Sequence, residues 1–371
     1  MRVLHLHSGN LQGGVETFLL TLARCRHLAP AMAMSVALCF EGDFANDLRA
    51  SGITPFMLGE VRLRRPDRLR LVRRALRSVL KAQAFDVVVC HQSWPYAIFA
   101  SVVRAVDIPL VLWVHMVQSG QHWLDRVALR VHPDLVVCNS RFTASTFPFA
   151  GVRVEHVYAP VQRANAKRSA AVRRAMQTPD SDIVITQVSR MEAWKGHAVC
   201  IDALSRLAGR PGWTCWIVGG AQRPEERKYA AALQASVDRL GLAQRVRFAG
   251  HRSDVADLLA ASDIFCQPNL EPEPFGISLV EALSAGLPVV TSAIGGALEI
   301  VDEWCGVLVP PADSRALASA LSNLVEDNVL RKRMGEEGRR RASSLCDPAV
   351  QMPRIAQLLE SAPRSTCALP F

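Results

Sequence analysis

Two carboxylates, Glu273 and Glu281, stand eight positions apart and enclose Pro-Phe-Gly-Ile-Ser. Pro272 and Pro274 lack an N–H and hold the residues before them away from helix, so Glu273 belongs to a turn. From Ile277 the spacing becomes helical, with Leu279, Val280 and Leu283 on an apolar face and Glu281 on another. Glu273 then lies on a loop ahead of a helix N-terminus, and Glu281 lies inside the helix. The unpaired N–H groups of such a terminus favour a phosphate. Two acids flanking it could bracket a phosphorylated ligand. A Pro-rich lead-in with a solvated Glu would give the same letters, and this stretch alone leaves both readings open.

A second set of groups lies upstream. Arg190 and Lys195 follow the apolar run Ile183–Val188, with Gly196 beside them. Two cations and a glycine on one loop suit a diphosphate and remove the need for a metal ion. They are also common surface residues in a basic chain. His115 directly follows the apolar run Leu110–Val114. The carboxyl ends of parallel strands are where such sheets place their sites, and an imidazole there can orient or exchange a proton. Gly295 and Gly296, followed by Glu299, mark another strand-end loop near the same edge.

These groups need elements to position them. Arg2–His7 reads as a strand, Gly13-Gly14 as a loop, and Val15, Phe18, Leu19 and Leu22 as a helix face. The Gly-x-Gly-x-x-Gly fingerprint is missing, which disfavours a dinucleotide cofactor. Further strands are expected at Met34–Phe40, Ile53–Leu58, Phe85–Cys90, Leu110–Val114, Leu135–Cys138 and Val152–Val161. Residues 162–181 are rich in Arg, Lys, Ala and Ser without a core face, and mark a boundary. Strands restart at Ile183–Val188, Thr214–Val218, Val246–Phe248, Ile264–Gln267 and Val289–Thr291, alternating with helices. The expected class is α/β, with two doubly wound domains, 1–161 and 162–345. Segment 346–371 holds a last helix, interrupted at Pro353, and a frayed tail.

The chain of 371 residues carries a net charge of +9. Arginines cluster from Arg62 to Arg77, where Leu69, Val72, Leu76 and Val79 recur at helical spacing behind Pro66. This is a basic amphipathic helix whose apolar stripe suits its own sheet. Its arginines either face water or touch an anionic membrane surface. Nucleic acid is disfavoured: no helix-turn-helix or RNA-binding aromatic motif occurs, and aromatics make up 6% of residues, too few for a stacking platform. No apolar run approaches the ~20 residues that span a bilayer. The N-terminus is too short and polar for a signal peptide. The expectation is a cytoplasmic protein, with peripheral contact at the inner membrane face left open. Ten cysteines form no Cys-x-x-Cys pair; Cys39, Cys90, Cys138, Cys215 and Cys266 fall in or beside apolar runs, as buried free thiols would.

The motifs resemble a known family. They are Ser189-Arg-Met-Glu-Ala-Trp-Lys-Gly-His, Arg245-Val-Arg-Phe-Ala-Gly-His, Asp263-Ile-Phe-Cys-Gln-Pro-Asn, Glu273-Pro-Phe-Gly-Ile-Ser-Leu-Val-Glu-Ala, Ala285-Gly-Leu-Pro-Val-Val, Gly295-Gly-Ala-Leu-Glu-Ile-Val and Gly306-Val-Leu-Val-Pro. Their order and spacing resemble the C-terminal domain of glycosyltransferase family 4, retaining enzymes of the GT-B fold. Gly13-Gly14-Val-Glu16 and His115 extend a looser likeness into the first half. The chain departs from the family at Ser189-Arg190-Met191, where Gly-Arg-Leu is usual, and at Gly219-Gly220-Ala221, where Gly-Asp-Gly or Gly-Gly-Gly is common. Neither departure touches a charged group.

The resemblance implies two Rossmann-like domains facing across a cleft, the last helix crossing back to the first. It implies that Arg190 and Lys195 hold the donor diphosphate, with Gly14, Ile277 and Ser278 near the phosphates. Glu273, Phe275 and Gly276 would meet the transferred sugar, Glu281 the ribose, and Gly250, His251 and Arg252 the base. His115 would lie by the donor sugar, sharing the catalytic assignment with Glu273. The donor would be a UDP-, GDP- or ADP-sugar, with no cofactor or metal, and the acceptor a glycan or lipid-linked glycan of the cell surface. Front-face attack is favoured over double displacement, because no second nucleophilic carboxylate presents itself. Epimerisation or glycogen-type synthesis on the same fold, and a catalytically dead sugar-nucleotide-binding or scaffold subunit of a glycan-assembly complex, are the competing readings.

Overall fold

The computed structural model describes residues 1–9, 13–62, 64–118, 120, 123–128, 130–148, 151–163 and 169–363. Met1–Pro160 together with Pro348–Phe371 form one compact unit, and Val161–Asp347 form another. At the division the Val161 N–H donates to the Cys346 carbonyl at 2.9 Å, tying both ends of the second unit together.

The first unit is a seven-stranded parallel sheet: β1 (Arg2–His7), β2 (Ala33–Leu38), β3 (Phe56–Met57), β4 (Val87–His91), β5 (Leu110–Val114), β6 (Leu135–Cys138) and β7 (Val154–His156). The order is β3-β2-β1-β4-β5-β6-β7. Strands β4, β5 and β6 are buried along their whole length, which is why they read as unbroken apolar runs. Helices Pro66–Ala82 and Ser93–Arg104 bury Val72, Leu76, Ile98 and Val102 in one core with Val88, Leu112 and Val136. The strand order reverses between β1 and β4, and the crevice at the carboxyl ends of those strands is the first unit's switch point.

The second unit is a six-stranded parallel sheet: β8 (Ile183–Val188), β9 (Trp213–Val218), β10 (Val246–Gly250), β11 (Ile264–Gln267), β12 (Val289–Ser292) and β13 (Gly306–Val309). The order is β10-β9-β8-β11-β12-β13, so the reversal falls between β8 and β11. Its core joins Leu204 and Leu207 to Trp213, Ile217, Ile264 and Val290. Both units are thus doubly wound α/β layers.

Several expectations need correction. The edge strands β3 and β7 are far shorter than Ile53–Leu58 and Val152–Val161: beyond Phe56–Met57 and Val154–His156 single bonds continue, from the Leu58 N–H to the Leu38 carbonyl at 2.8 Å and from the Val157 N–H to the Cys138 carbonyl at 2.9 Å. Residues 162–181 are not featureless: Ala170–Ala175 is helical and Arg173 is buried there. Its guanidinium meets Asp263 at 2.5 Å and the carbonyls of Ala261 and Asp182 at 3.0 and 2.9 Å. A cation that looked solvated is an internal strut, tolerable inside because its donors are matched. Residues 313–342 carry leucines at helical spacing and read as helical throughout, but they divide into Ser314–Glu326 and Asn328–Cys346 at Asp327, whose carboxylate caps the second helix at the Leu330 N–H, 2.8 Å away. Helix Pro348–Glu360 runs through Pro353, since burial of Met352, Ile355 and Leu359 on one face outweighs the lost hydrogen bond. The nine cysteines among the described residues are free and buried. No helix of the described residues is long and apolar enough to cross a membrane.

Candidate functional site

In the second unit the polar groups gather at the switch point. β8 ends at Val188 and runs into the loop carrying Arg190 and Lys195, while β11 ends at Gln267 and leads to Glu273. The two loops are fastened together. The Leu270 N–H donates to the Trp194 carbonyl at 2.7 Å. Gly196 has φ +73°, and a Cβ there would stand 1.8 Å from the Pro268 carbonyl oxygen, so only glycine fits. This brings Lys195 Nζ to 2.8 Å from Glu273 Oε2.

Glu273 is 7% exposed, and three donors converge on its Oε2: Lys195, Asn269 Nδ2 at 2.5 Å and Gln267 Nε2 at 3.2 Å. That satisfies the demand that a buried carboxylate be paired and hydrogen-bonded. Lys195 Nζ also lies 3.8 Å from the centre of the Trp194 ring. Trp194 Nε1 donates to Glu192 Oε2 at 2.9 Å, and Glu192 Oε1 meets Arg190 Nη2 at 2.9 Å. A continuous chain of charge and hydrogen bonds therefore joins Arg190, Glu192, Trp194, Lys195 and Glu273. Sequence reasoning assigned no role to Glu192, Trp194, Gln267 or Asn269. The available signal was a polar residue closing the apolar run of β11.

Helix Ile277–Ala285 starts beside Glu273. Gly276, at φ +102°, precedes it, and a Cβ would lie 2.8 Å from Leu279 Cδ1 and 3.2 Å from Glu273 Cγ. The Gly296 N–H donates to the Glu273 carbonyl at 2.6 Å, so the Gly295-Gly296 loop fixes the backbone of the acid. Among the described residues the N–H groups of Ile277 and Ser278 meet no acceptor, as expected of a first helical turn. Ser278 Oγ donates to Gln267 Oε1 at 3.1 Å, and Phe275 is buried. Glu281 is half-buried and has no hydrogen-bond partner among the described residues. Burial pushes its carboxyl up to about 7.

Gly250 ends β10 and His251 and Arg252 follow it, and the Gly219 N–H donates to the Gly250 carbonyl at 2.9 Å. His251 is exposed, whereas Arg252 forks onto Asp254 at 2.8 and 2.6 Å. What this loop offers a ligand is backbone and the His251 ring. Arg190 lies 4.0 Å from Glu226, a buried acid that accepts the N–H groups of Gln222 and Arg223 at the start of helix Pro224–Arg239.

In the first unit Gly14 opens helix Gly14–Arg24 and is exposed; residues 10–12 lie outside the described set. His115, straight after β5, does not stand alone. His5 Nδ1 lies 2.9 Å from His91 Nε2, and His91 Nδ1 lies 2.9 Å from His115 Nε2. His7 Nε2 meets Glu16 Oε1 at 2.6 Å. Trp113 stacks on both His91 and His115, and Phe18 packs its ring 5.3 Å from that of His115. Burial, with the neighbouring imidazoles, holds His115 down to about 3 and His91 well below its usual range. Burial alone lowers His5 to about 3. All three are neutral at physiological pH. Sequence reasoning gave no role to His5, His7 or His91; the alternation His5, His7 along β1 was the signal.

Two family models match these two units. "Glycosyltransferase Family 4" covers residues 12–163 and "Glycosyl transferases group 1" covers residues 169–341. The chain belongs to glycosyltransferase family 4. It is 32% identical over 208 residues to the lipopolysaccharide core biosynthesis glycosyltransferase LpsE of Rhizobium meliloti, a match spanning 55% of this chain and 58% of that one. It is 30% identical over 210 residues to a GDP-mannose-dependent monoacylated alpha-(1-6)-phosphatidylinositol monomannoside mannosyltransferase of Corynebacterium glutamicum, over 54% of this chain and 53% of the relative. The chain thus spans little more than half the length of these curated relatives. Among solved structures it is similar to Anabaena Alr3699/HepE in complex with UDP and glucose, with 27% identity and a TM-score of 0.85 over 97% of this chain and 100% of that one. WaaG, a glycosyltransferase involved in lipopolysaccharide biosynthesis, matches with a TM-score of 0.73 at 19% identity, a likeness of fold. The paired parallel sheets are those of the GT-B class.

Proposed function

We propose that this chain is a retaining glycosyltransferase that moves a sugar from a nucleotide-sugar donor to a glycan or lipid-linked acceptor. The observation that carries the reading is the second unit's switch point. There Lys195 pairs with the buried Glu273, beside an open helix N-terminus and the unpartnered Glu281. The names of the relatives support the class: HepE is seen with UDP and glucose, and the C. glutamicum enzyme depends on GDP-mannose. The LpsE name supports an acceptor of the lipopolysaccharide type.

Breaking the sugar–phosphate bond places negative charge on the departing diphosphate and positive charge on the sugar ring. Arg190, Lys195 and the N–H groups of Ile277 and Ser278 stabilise the first, in a site where few of them must reorganise. Glu273, held by Lys195, Asn269 and Gln267, accepts hydroxyls of the transferred sugar through its remaining oxygen and offsets the ring charge. Phe275 and Gly276 shape that end of the site. Glu281 accepts the ribose hydroxyls, and the base rests on backbone at Gly250, His251 and Arg252. On the first unit, His115 offers its ring to a sugar hydroxyl and the start of the Gly14 helix offers N–H groups to a phosphate. Cationic side chains do the work that a metal ion does elsewhere. With no second nucleophilic carboxylate beside Glu273 among the described residues, attack comes from the front face.

The basic helix supports contact with an anionic membrane. Arg70, Arg74, Arg77 and Lys81 are exposed along one stripe and, with Arg73 and Ser78, line a depression of about 500 Å³. Leu71 beside them is 57% exposed.

Thermal unfolding with UDP, GDP and ADP tests the donor class. One nucleoside diphosphate should raise the midpoint, and Glu281→Gln should remove most of that rise; no shift with any of the three would contradict the reading. Proton NMR of the first product formed would then show the donor's anomeric configuration kept.

A further inference from the structure

The three imidazoles in series restrict one another's protons. Each neutral ring has a single N–H, and each of the two bonds, His5 Nδ1 to His91 Nε2 and His91 Nδ1 to His115 Nε2, needs one hydrogen. Only two arrangements satisfy both bonds. In one, every ring is protonated on Nε2, and the surplus N–H is that of His5 Nε2. In the other, every ring is protonated on Nδ1, and the surplus N–H is that of His115 Nδ1.

The two ends differ. His5 Nε2 is buried and has no partner among the described residues. His115 is partly exposed, and its Nδ1, unlike His5 Nε2, is not a buried atom without a partner. The first arrangement strands a buried N–H, and orphaned buried donors are rarer than under-satisfied acceptors. Next to the chain, His7 Nε2 meets the Glu16 carboxylate, and its buried Nδ1 has no partner among the described residues. His7 from β1 and Glu16 from helix Gly14–Arg24 are the other ionisable groups facing the chain, and they are paired to each other. Trp113 and Phe18 supply apolar walls. The Asn139 amide fixes the His115 backbone, donating to its carbonyl at 3.2 Å.

We propose that His5 and His91 are positioning residues that lock His115 in its neutral Nδ1–H form, so that His115 donates a hydrogen bond to a sugar hydroxyl instead of taking a proton from the acceptor. The lock itself rests on the first unit alone; only its use on a sugar rests on the function proposed above. Since the inner end of the chain has no outlet, no proton is carried away along it. The deprotonation of the acceptor falls to another group.

Two-bond proton–nitrogen correlation spectra of ¹⁵N-histidine-labelled protein at pH 7.5 read the tautomers directly, with His115→Gln assigning the ring. His115, His91 and His5 should all show protonated Nδ1 and bare Nε2. An Nε2–H pattern at His115, or a ring that titrates near pH 6.5, overturns the proposal. Two variants test control by residue 91. His91→Asn can still donate to His115 Nε2 and should keep the Nδ1–H pattern. His91→Asp offers an acceptor there and should place a proton on His115 Nε2. An unchanged His115 pattern in His91→Asp also overturns the proposal, and if that variant does not fold the wild-type spectrum decides. With a sugar nucleotide in hand, His91→Asp should raise its KM about tenfold, on the order of one hydrogen bond, and His91→Asn should not. Correct tautomers with an unmoved KM would refute the sugar contact and leave the lock standing.

Discussion

Lys195 Nζ and Glu273 Oε2 stand 2.8 Å apart at the ends of neighbouring strands, with side chains 13% and 10% exposed. The pair couples the cation proposed for the diphosphate to the acid proposed for the sugar. Removing one partner leaves a buried charge uncompensated, whereas removing both does not. Lys195→Met should therefore lower stability by about 3 kcal/mol. Lys195→Met with Glu273→Gln should regain most of that in urea unfolding, while sugar transfer stays lost in both. Recovery of transfer in the double variant would mean that the pair is structural.

Glu281 gives the site a pH signature. Its carboxyl is raised from 4.5 to about 7, so between those values the folded chain holds a proton that the unfolded chain has released. Its stabilising contribution is full below 4.5 and fades as pH rises to about 7. A ribose hydroxyl donating to the carboxylate favours the charged form, so binding expels the proton. UDP, if it is the matching nucleotide, should bind up to about tenfold more tightly at pH 8 than at pH 6. Calorimetry in buffers of different ionisation enthalpy should register proton release near pH 6. Glu281→Gln should flatten the slope, and an unaltered slope would remove Glu281 from the nucleotide site.

Gly276, beside the acid, is a position that resists a side chain. Its φ of +102° and the 2.8 Å approach of a Cβ to Leu279 act together. Gly276→Ala should cost about 1–3 kcal/mol and displace Glu273, lowering the transition midpoint and the turnover. Gly59→Ala is the control, because φ is +95° there but nothing lies within 4 Å of a Cβ. Equal losses in the two would show that the contact with Leu279 and Glu273 contributes nothing.

The arginine stripe makes a separate prediction. Arg73 should be left alone, since its Nε donates to the Ile98 carbonyl at 2.8 Å. Arg70→Glu, Arg74→Glu and Arg77→Glu combined should cut pelleting with phosphatidylserine vesicles by more than about a hundredfold, at roughly 1 kcal/mol per basic residue near the surface. Binding equal to wild type would exclude this helix from any membrane contact.

Much of the fold was legible because buried parallel strands leave continuous apolar runs such as Val111–Val114, and the breaks between them mark the loops. Pro272 and Pro274 announced the turn at Glu273 in the same direct way. The partners of these residues were not legible. His5, His91 and His115 meet only because β1, β4 and β5 are neighbours in the sheet, and that order is a property of topology. Arg173 looked like one more solvated cation, because its acceptors, Asp263 and the Ala261 carbonyl, lie some ninety positions away. Pro353 reads as a break because local propensity alone does not register the burial of Met352, Ile355 and Leu359.

The most direct test is nucleoside diphosphate release from a panel of UDP-, GDP- and ADP-sugars, measured for wild type and Glu273→Ala. At least one sugar nucleotide should be turned over by the wild type. Glu273→Ala should slow that release by about a hundredfold or more, as expected for an electrostatic contact made at the reacting centre. Release at the wild-type rate in Glu273→Ala, or none from any member of the panel with the wild type, would contradict the account.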